Sequence, residues 1–279
     1  MDIVVVGAGT MGLGIAQVSA MAGHNVVLGD AFETALEKAK NTIDKNLSKA
    51  VELGKLTLQQ KVDTISRISY THELSLLKCD MVIEAIIEKL DLKVELFNKL
   101  ASVNGPECIF ATNTSSIPIT QISAQIEHPE RVIGIHFFNP AHVMKLVEIV
   151  SGAHTSRAVA QKAFNFVKGL GKTPIMAADA PGFIVNRVAR HYYVESLKIL
   201  EENVTDFETI DTLLESVGFK MGPFRLMDLI GVDTNFSVTS SMYALFHQDE
   251  KFRPSRIQQQ KVDAGFNGRK SGKGFYEYN

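Results

Sequence analysis

A chain of 279 residues, 45% hydrophobic and 22% charged, has the composition of a globular protein with one large or two ordinary domains. Its formal net charge of −2 excludes a broadly cationic surface, so nucleic acid is not an expected partner. Cys79 and Cys108 lack metal-ligand spacing and adjoin apolar segments, Met1 leads straight into a strand pattern without a basic leader, and no apolar run is long enough to span a bilayer. Buried thiols, no metal site, no membrane partner and a cytoplasmic protein are the expectations.

The β-branched run at residues 3–6 reads as a parallel strand buried on both faces. It ends in Gly7, Gly9 and Gly12, the Gly-x-Gly-x-x-Gly spacing of a strand-to-helix turn whose helix N-terminus receives a pyrophosphate. The first glycine turns the chain, the second leaves the backbone bare for phosphate, and the third lets helix and strand approach. A helix over 12–21 and a strand over 25–28 follow, and Asp30 lies where a carboxylate accepts from an adenosine ribose 2′-hydroxyl. The same charge repels a 2′-phosphate, so NAD is expected in preference to NADP.

A long helical pattern at 31–53 carries Lys38, Lys40, Lys45 and Lys49, with Lys55 just beyond. It reads either as a solvated face or as a landing surface for a phosphate-bearing substrate tail. Strands are expected at 64–68, 80–85, 108–111, 132–137, 146–150 and 172–177, and helices at 72–78, 91–103, 119–124 and 156–168. This alternation predicts a Rossmann-type, mostly parallel α/β sheet with a helical excursion after the second strand and ligands at the strands' carboxyl ends. After Asp179-Ala180-Pro181-Gly182 the patterns are almost wholly helical, at 183–200, 205–217, 226–229, 233–245 and 254–264. Thr205 and Glu208 stand in capping-box register, and the aromatic tail of Phe275, Tyr276 and Tyr278 is expected to pack on the body. The expected domains are 1–180, binding NAD, and 181–279, all-helical.

His136 ends a strand reading VIGIHFFNP, which puts an imidazole at the catalytic edge of the sheet. An imidazole can take or give a proton near neutrality, which suits proton transfer at a hydroxyl or carbonyl carbon. If the flanking strands pair as a hairpin about Asn139-Pro140, Glu148 meets the second ring nitrogen and fixes the tautomer. A buried structural histidine is the plainer alternative. Ser115 lies in a polar loop after a strand but lacks the Gly-x-Ser-x-Gly elbow of a covalent nucleophile, so it reads as a group that holds a substrate oxygen. Asn186, on an apolar helix start just past the domain boundary, is either a satisfied core amide or a ligand contact in an interdomain cleft.

These motifs together resemble the L-3-hydroxyacyl-CoA dehydrogenase family, in size like the bacterial short-chain 3-hydroxybutyryl-CoA enzymes, over essentially the full length. The resemblance is carried by GAGTMGLGIA at 7–16, Glu84 to Glu88 followed by Lys93, ATNTSS at 111–116, GIHFFNPAHVMKLVEIV at 134–150 and DAPGFIVNR at 179–187. It implies a catalytic pair of His136 and Glu148, with Ser115 and Asn186 orienting substrate. NAD is expected against Gly7, Gly9, Thr10, Met11, Gly12, Asp30, Asn113 and Ser115, with Glu88 and Lys93 on the nicotinamide side. The family binds CoA along the excursion after Asp30 and dimerises through its helical domain. Here that excursion is less basic than is common in the family, and Ser48, Lys49 and Lys55 are the candidate CoA contacts.

The implied reaction is hydride transfer between NAD(H) and C3 of a short-chain L-3-hydroxyacyl-CoA or 3-ketoacyl-CoA, with 3-hydroxybutyryl-CoA and acetoacetyl-CoA the expected pair. Two alternatives differ in class: a dehydrogenase of a free hydroxy acid or sugar acid, and an NAD-binding structural protein without turnover. Comparing acetoacetyl-CoA with free hydroxy acids separates the first, and measurable turnover eliminates the second.

Overall fold

In the computed structural model, which describes residues 1–73 and 77–278, the opening apolar run forms β1 (Asp2–Val6) and turns into α1 (Thr10–Met21). Ile3, Val4, Val5 and Val6 are all buried, because a parallel strand covered on both faces has no solvent side. There follow β2 (Asn25–Gly29), α2 (Glu33–Glu52), α3 (Leu58–Ser66), β3 (Ile68–Thr71), β4 (Met81–Glu84), α4 (Leu90–Ala101) and β5 (Ile109–Thr112). Next come α5 (Ile119–Ser123), β6 (Val132–Phe137), β7 (Leu146–Ser151), α6 (Arg157–Gly169) and β8 (Thr173–Ala178). The strands form one sheet in the order β3-β2-β1-β4-β5-β6-β7-β8. Every neighbouring pair is parallel except β6 and β7. The chain goes from β1 outward to β2 and β3, then returns to β4 on the other side, so the strand order reverses between β1 and β4, where a crevice is expected at the carboxyl ends.

The excursion α2 is amphipathic. Leu36, Ala39, Ile43 and Leu47 recur at threes and fours and join Ile15, Ala16, Ile3 and Val5 in one core, while its lysines face outward. Leu47 is fully buried, and truncating such a leucine to alanine costs about 2–5 kcal/mol.

The strand expected at 64–68 is instead the end of α3 and the start of β3. A complete capping box forms the helix: Thr57 Oγ1 accepts from Gln60 N–H at 3.1 Å, and Gln60 Oε1 accepts from Thr57 N–H at 2.8 Å. Two orphan donors are satisfied reciprocally, and the β-branched Thr64 packs inward as a helical residue. The helix expected at 72–78 includes residues outside the described ones. Cys108 is buried, but Cys79 is only partly so; their Sγ atoms lie 3.8 Å apart, unbridged.

A second compact unit, Pro181–Asn279, follows the first, Met1–Ala180. It contains α7 (Val185–Glu201), α8 (Phe207–Ser216), α9 (Pro223–Ile230), α10 (Val232–Leu245) and α11 (Arg256–Asp263). Tyr193, Leu197, Ile210, Phe224, Met227, Val232 and Phe275 form its core. The tail is tied down by charge as well as by its rings: Asp228 accepts from the backbone N–H groups of Phe275 and Tyr276, both at 2.9 Å, and Asp211 accepts from Tyr276 Oη at 2.8 Å. The cap of α8 differs from the expected Thr205–Glu208 box. Asp206 is the N-cap and accepts from Thr209 N–H at 2.7 Å, because a carboxylate there also meets the positive end of the helix dipole. Among the described residues no helix is long and apolar enough to cross a membrane.

Candidate functional site

The site is built outward from the glycine turn. Gly7 sits at φ +103°, and a Cβ there would lie 2.5 Å from the Ala85 carbonyl oxygen, so both conformation and space demand glycine. At Gly12 a Cβ would stand 1.7 Å from the Gly7 carbonyl oxygen, which is the close helix–strand approach expected of the third glycine. A Cβ on Gly9 would instead meet nothing within 4 Å. Gly9 is the N-cap of α1, makes no side-chain cap, and is exposed with Thr10 while Met11 is half-buried. An uncapped helix N-terminus beside bare backbone fits an anionic pyrophosphate.

Asp30, one residue past β2, is held against this turn. Its Oδ2 accepts from Ala8 N–H at 2.7 Å and its Oδ1 from Phe32 N–H at 3.0 Å. Each oxygen has a second lone pair, so a carboxylate fixed in this way can also accept from a ribose hydroxyl.

On the far side of the crevice, β6 and β7 pair so that His136 stands opposite Glu148. His136 Nδ1 lies 2.7 Å from Glu148 Oε2, and both side chains are buried. An imidazole donating Nδ1–H to a carboxylate carries its lone pair on Nε2 and is oriented for proton transfer there. The Phe138 ring packs against it at 4.6 Å between centroids.

Asn113 and Ser115 follow β5. Asn113 Oδ1 accepts from Phe137 N–H at 2.9 Å, so this amide secures the end of the histidine strand. Ser115 is half-buried, and its N–H donates to Glu88 Oε1 at 3.0 Å. Lys93 lies between two carboxylates, with Nζ 2.6 Å from Glu84 Oε1 and 3.1 Å from Glu88 Oε2. Glu88, Lys93 and the Ser115 loop therefore form one cluster. Glu84 and Thr112 belong to it as well, although in the sequence both stand only as parts of motifs.

The three expected CoA contacts differ in their surroundings. Ser48 is half-buried and accepts from Lys61 Nζ at 2.7 Å, and Lys61 also pairs with Asp44 at 2.7 Å. Lys49 and Lys55 are exposed on the same excursion. Lys61 stands on α3, a helix whose sequence signal is the box at Thr57 and Gln60. Asn186 lies in the first turn of α7, in the second unit, and is half-buried. Among the described residues no group of His, Cys, Asp and Glu is arranged to hold a metal ion.

Comparison with known proteins identifies the family. Residues 2–180 match the family described as "3-hydroxyacyl-CoA dehydrogenase, NAD binding domain", and residues 182–278 match "3-hydroxyacyl-CoA dehydrogenase, C-terminal domain". A 3-hydroxyadipyl-CoA dehydrogenase of Escherichia coli K12 is 48% identical over 99% of this chain, which spans 58% of that protein's length. A 3-hydroxybutyryl-CoA dehydrogenase of Bradyrhizobium diazoefficiens is 41% identical over 98% of this chain and 94% of its own. The crystal structure of an (S)-3-hydroxybutyryl-CoA dehydrogenase from Ralstonia eutropha superposes with a TM-score of 0.95 at 39% identity, covering 100% of this chain and 99% of that one. With a glycine turn made for a dinucleotide in its first unit, the chain belongs to the 3-hydroxyacyl-CoA dehydrogenase family of NAD-dependent oxidoreductases.

Proposed function

We propose that this protein transfers hydride between NAD(H) and C3 of a short-chain L-3-hydroxyacyl-CoA or 3-ketoacyl-CoA, with 3-hydroxybutyryl-CoA and acetoacetyl-CoA the working pair. The observation that carries the reading is the buried His136–Glu148 contact of 2.7 Å on a sheet that begins with an NAD-type glycine turn. Gly7, Gly9, Thr10, Met11, Gly12 and Asp30 would hold the adenosine and pyrophosphate portion, and Glu88, Lys93, Asn113 and Ser115 the nicotinamide portion. When bound, the nicotinamide supplies the hydride chemistry.

The chain's own residues handle the proton and the geometry. In oxidation, neutral His136 takes the C3 hydroxyl proton at Nε2, and Glu148 stabilises the imidazolium that forms. In reduction the imidazolium returns the proton to the developing alkoxide. Ser115 and Asn186 donate to the substrate oxygens and so polarise the carbonyl. Ser48, Lys49 and Lys55, now joined by Lys61, are the groups offered to the CoA phosphates. Residues 181–279 would supply substrate contacts and the surface of a homodimer. A cytoplasmic location and a place in fatty-acid or butyrate metabolism follow from the same reading.

A second substrate has a specific ground. The Escherichia coli relative is named for a dicarboxylic substrate, 3-hydroxyadipyl-CoA. NADH consumption with acetoacetyl-CoA, 3-oxoadipyl-CoA and a free 3-keto acid separates the readings. Preference for acetoacetyl-CoA is the expected result, preference for 3-oxoadipyl-CoA replaces the chain length, and turnover of the free acid alone overturns the CoA assignment.

A further inference from the structure

Glu84 is the last residue of β4, and its side chain is 0% exposed, as buried as any group in the molecule. Lys93, on α4, is 1% exposed, and its Nζ lies 2.6 Å from Glu84 Oε1. The same carboxylate accepts from Ile86 N–H at 2.7 Å and from Thr112 Oγ1 at 2.7 Å. Two charges taken this deep lose their hydration, and a well-packed apolar pair of equal volume joins a strand to a helix at least as well. Stability alone therefore does not account for them.

What the pair does is visible on the other side of Lys93. Its Nζ also lies 3.1 Å from Glu88 Oε2, and the second oxygen of Glu88 is the centre of the loop at 114–116. Glu88 Oε1 accepts from Thr114 Oγ1, from Ser115 N–H at 3.0 Å, from Ser116 N–H at 3.2 Å and from Ser116 Oγ at 3.0 Å. Thr112 closes the circuit, donating to Glu84 while accepting from Thr114 N–H at 3.2 Å. Burial pushes the Glu88 carboxyl up, but the Lys93 ammonium and the Thr114 and Ser116 hydroxyls outweigh it and hold the group below its ordinary range. The oxygen around which the loop folds is thus an anion at neutral pH.

We propose that Glu84, acting through Lys93 and Glu88, is a positioning residue that fixes the 114–116 loop and with it the Ser115 hydroxyl at the carboxyl edge of the sheet. Each contact hands rigidity from a regular element to an irregular one. β4 fixes the Glu84 carboxylate, the carboxylate fixes the Lys93 ammonium, the ammonium fixes Glu88, and Glu88 fixes the loop backbone. A group that works from a loop needs such a supporting shell to hold its geometry. The proposal rests on the hydroxyacyl-CoA reading only in naming what Ser115 is held for.

The test combines amide hydrogen exchange with kinetics on the full chain. Glu84→Gln removes the buried anion, and Glu84→Gln combined with Lys93→Met removes both buried charges, so that neither is left unpaired, without touching any group bonded directly to the loop. In both variants the Ser115 and Ser116 amides are expected to exchange at least roughly tenfold faster, with β1 amides unchanged. Glu84→Gln is also expected to lower kcat with acetoacetyl-CoA, on the order of 10²-fold. In a Ser115→Ala background the same substitution should add no more than about twofold, since the residue it positions is gone. A folded Glu84→Gln protein with unchanged exchange at 115 and 116, or kcat losses that multiply in full, overturns the proposal. If Glu84→Gln alone leaves Lys93 too costly to bury and does not fold, exchange in the double variant decides: faster loop amides sustain the proposal and unchanged ones overturn it. Absent turnover of acetoacetyl-CoA by the unaltered protein would sink the substrate reading, and the exchange result would still decide the positioning role.

Discussion

His136 and Glu148 face each other across the antiparallel pair β6–β7, with Nδ1 and Oε2 2.7 Å apart. Residues directly opposite in such a pair point to the same side of the sheet, so the register itself delivers the carboxylate to the ring. Substituting Glu148 by glutamine keeps the shape but removes the charge that favours imidazolium. Turnover is expected to fall by roughly 10²–10⁴-fold, the range of general acid–base contributions, with near-normal circular dichroism. His136→Gln should bind NADH, read by fluorescence, and lose turnover to a similar extent. An unchanged kcat in either variant removes the pair from the chemistry.

Asp30 both buttresses the turn through Ala8 N–H and presents a negative charge at the end of β2. Asp30→Ala should weaken NADH by roughly 10–100-fold, as expected for lost hydrogen bonds to a charged group, and weaken NADPH less. Parallel titrations with the two cofactors check this. A native protein that prefers NADPH would overturn the reading of Asp30.

Gly12→Ala puts a methyl group 1.7 Å from the Gly7 carbonyl oxygen, a backbone atom that cannot swing away. The helix must shift off the strand, and a loss of about 1–3 kcal/mol or more is expected. Thermal denaturation should detect it, and an unaltered melting temperature would show that close approach at Gly12 is not required for stability. Gly9→Ala, whose Cβ meets nothing within 4 Å, should leave stability nearly unchanged and weaken NADH.

Glu88 carries a pH dependence of stability with a definite sign. Its carboxyl sits below the ordinary range in the folded state, so the folded chain binds fewer protons there than the unfolded one. The stabilisation is present above the unfolded value of about 4.3 and is lost as pH falls through the lower folded value. With 36% of the side chain exposed, the effect should be modest and salt-sensitive. Urea denaturation between about pH 3 and 6 should show a flatter acid limb for Glu88→Gln than for the native chain. Identical slopes would argue against this account of the loop.

Lys49 and Lys55 are exposed on the excursion, whereas Lys61 is tied to Ser48 and Asp44. Charge reversal at Lys49 or Lys55 should raise KM for acetoacetyl-CoA several-fold, roughly 1 kcal/mol per phosphate contact at low salt, without altering NADH binding. Lys61→Met should raise the same KM and also loosen α3 against α2. KM values insensitive to all three substitutions would move the CoA contacts elsewhere.

Much of the site was legible because its signals are local. A glycine turn is dictated by backbone sterics over six residues, β1 by an unbroken run of β-branched side chains, and the hairpin of His136 and Glu148 by two apolar strands about one turn. What the sequence by itself determined is therefore the set of short-range elements: the phosphate turn, the acidic end of β2, the histidine strand, and the break at residues 179–182. Helix α3 was also written locally, in Thr57 and Gln60, but the β-branched Thr64 and Ile65 in its last turn gave the competing strand signal. At the start of α8 the choice between Thr205 and Asp206 turned on one residue of register, which spacing alone does not resolve. Tertiary structure alone decided the partnerships between distant residues. Thr112 meets Glu84 across 28 positions, Thr114 meets Glu88 across 26, and Asn113 secures Phe137 across 24. Such contacts depend on which strands lie side by side and on burial deep enough to make an unpaired charge intolerable, and neither is written in any short window of the chain.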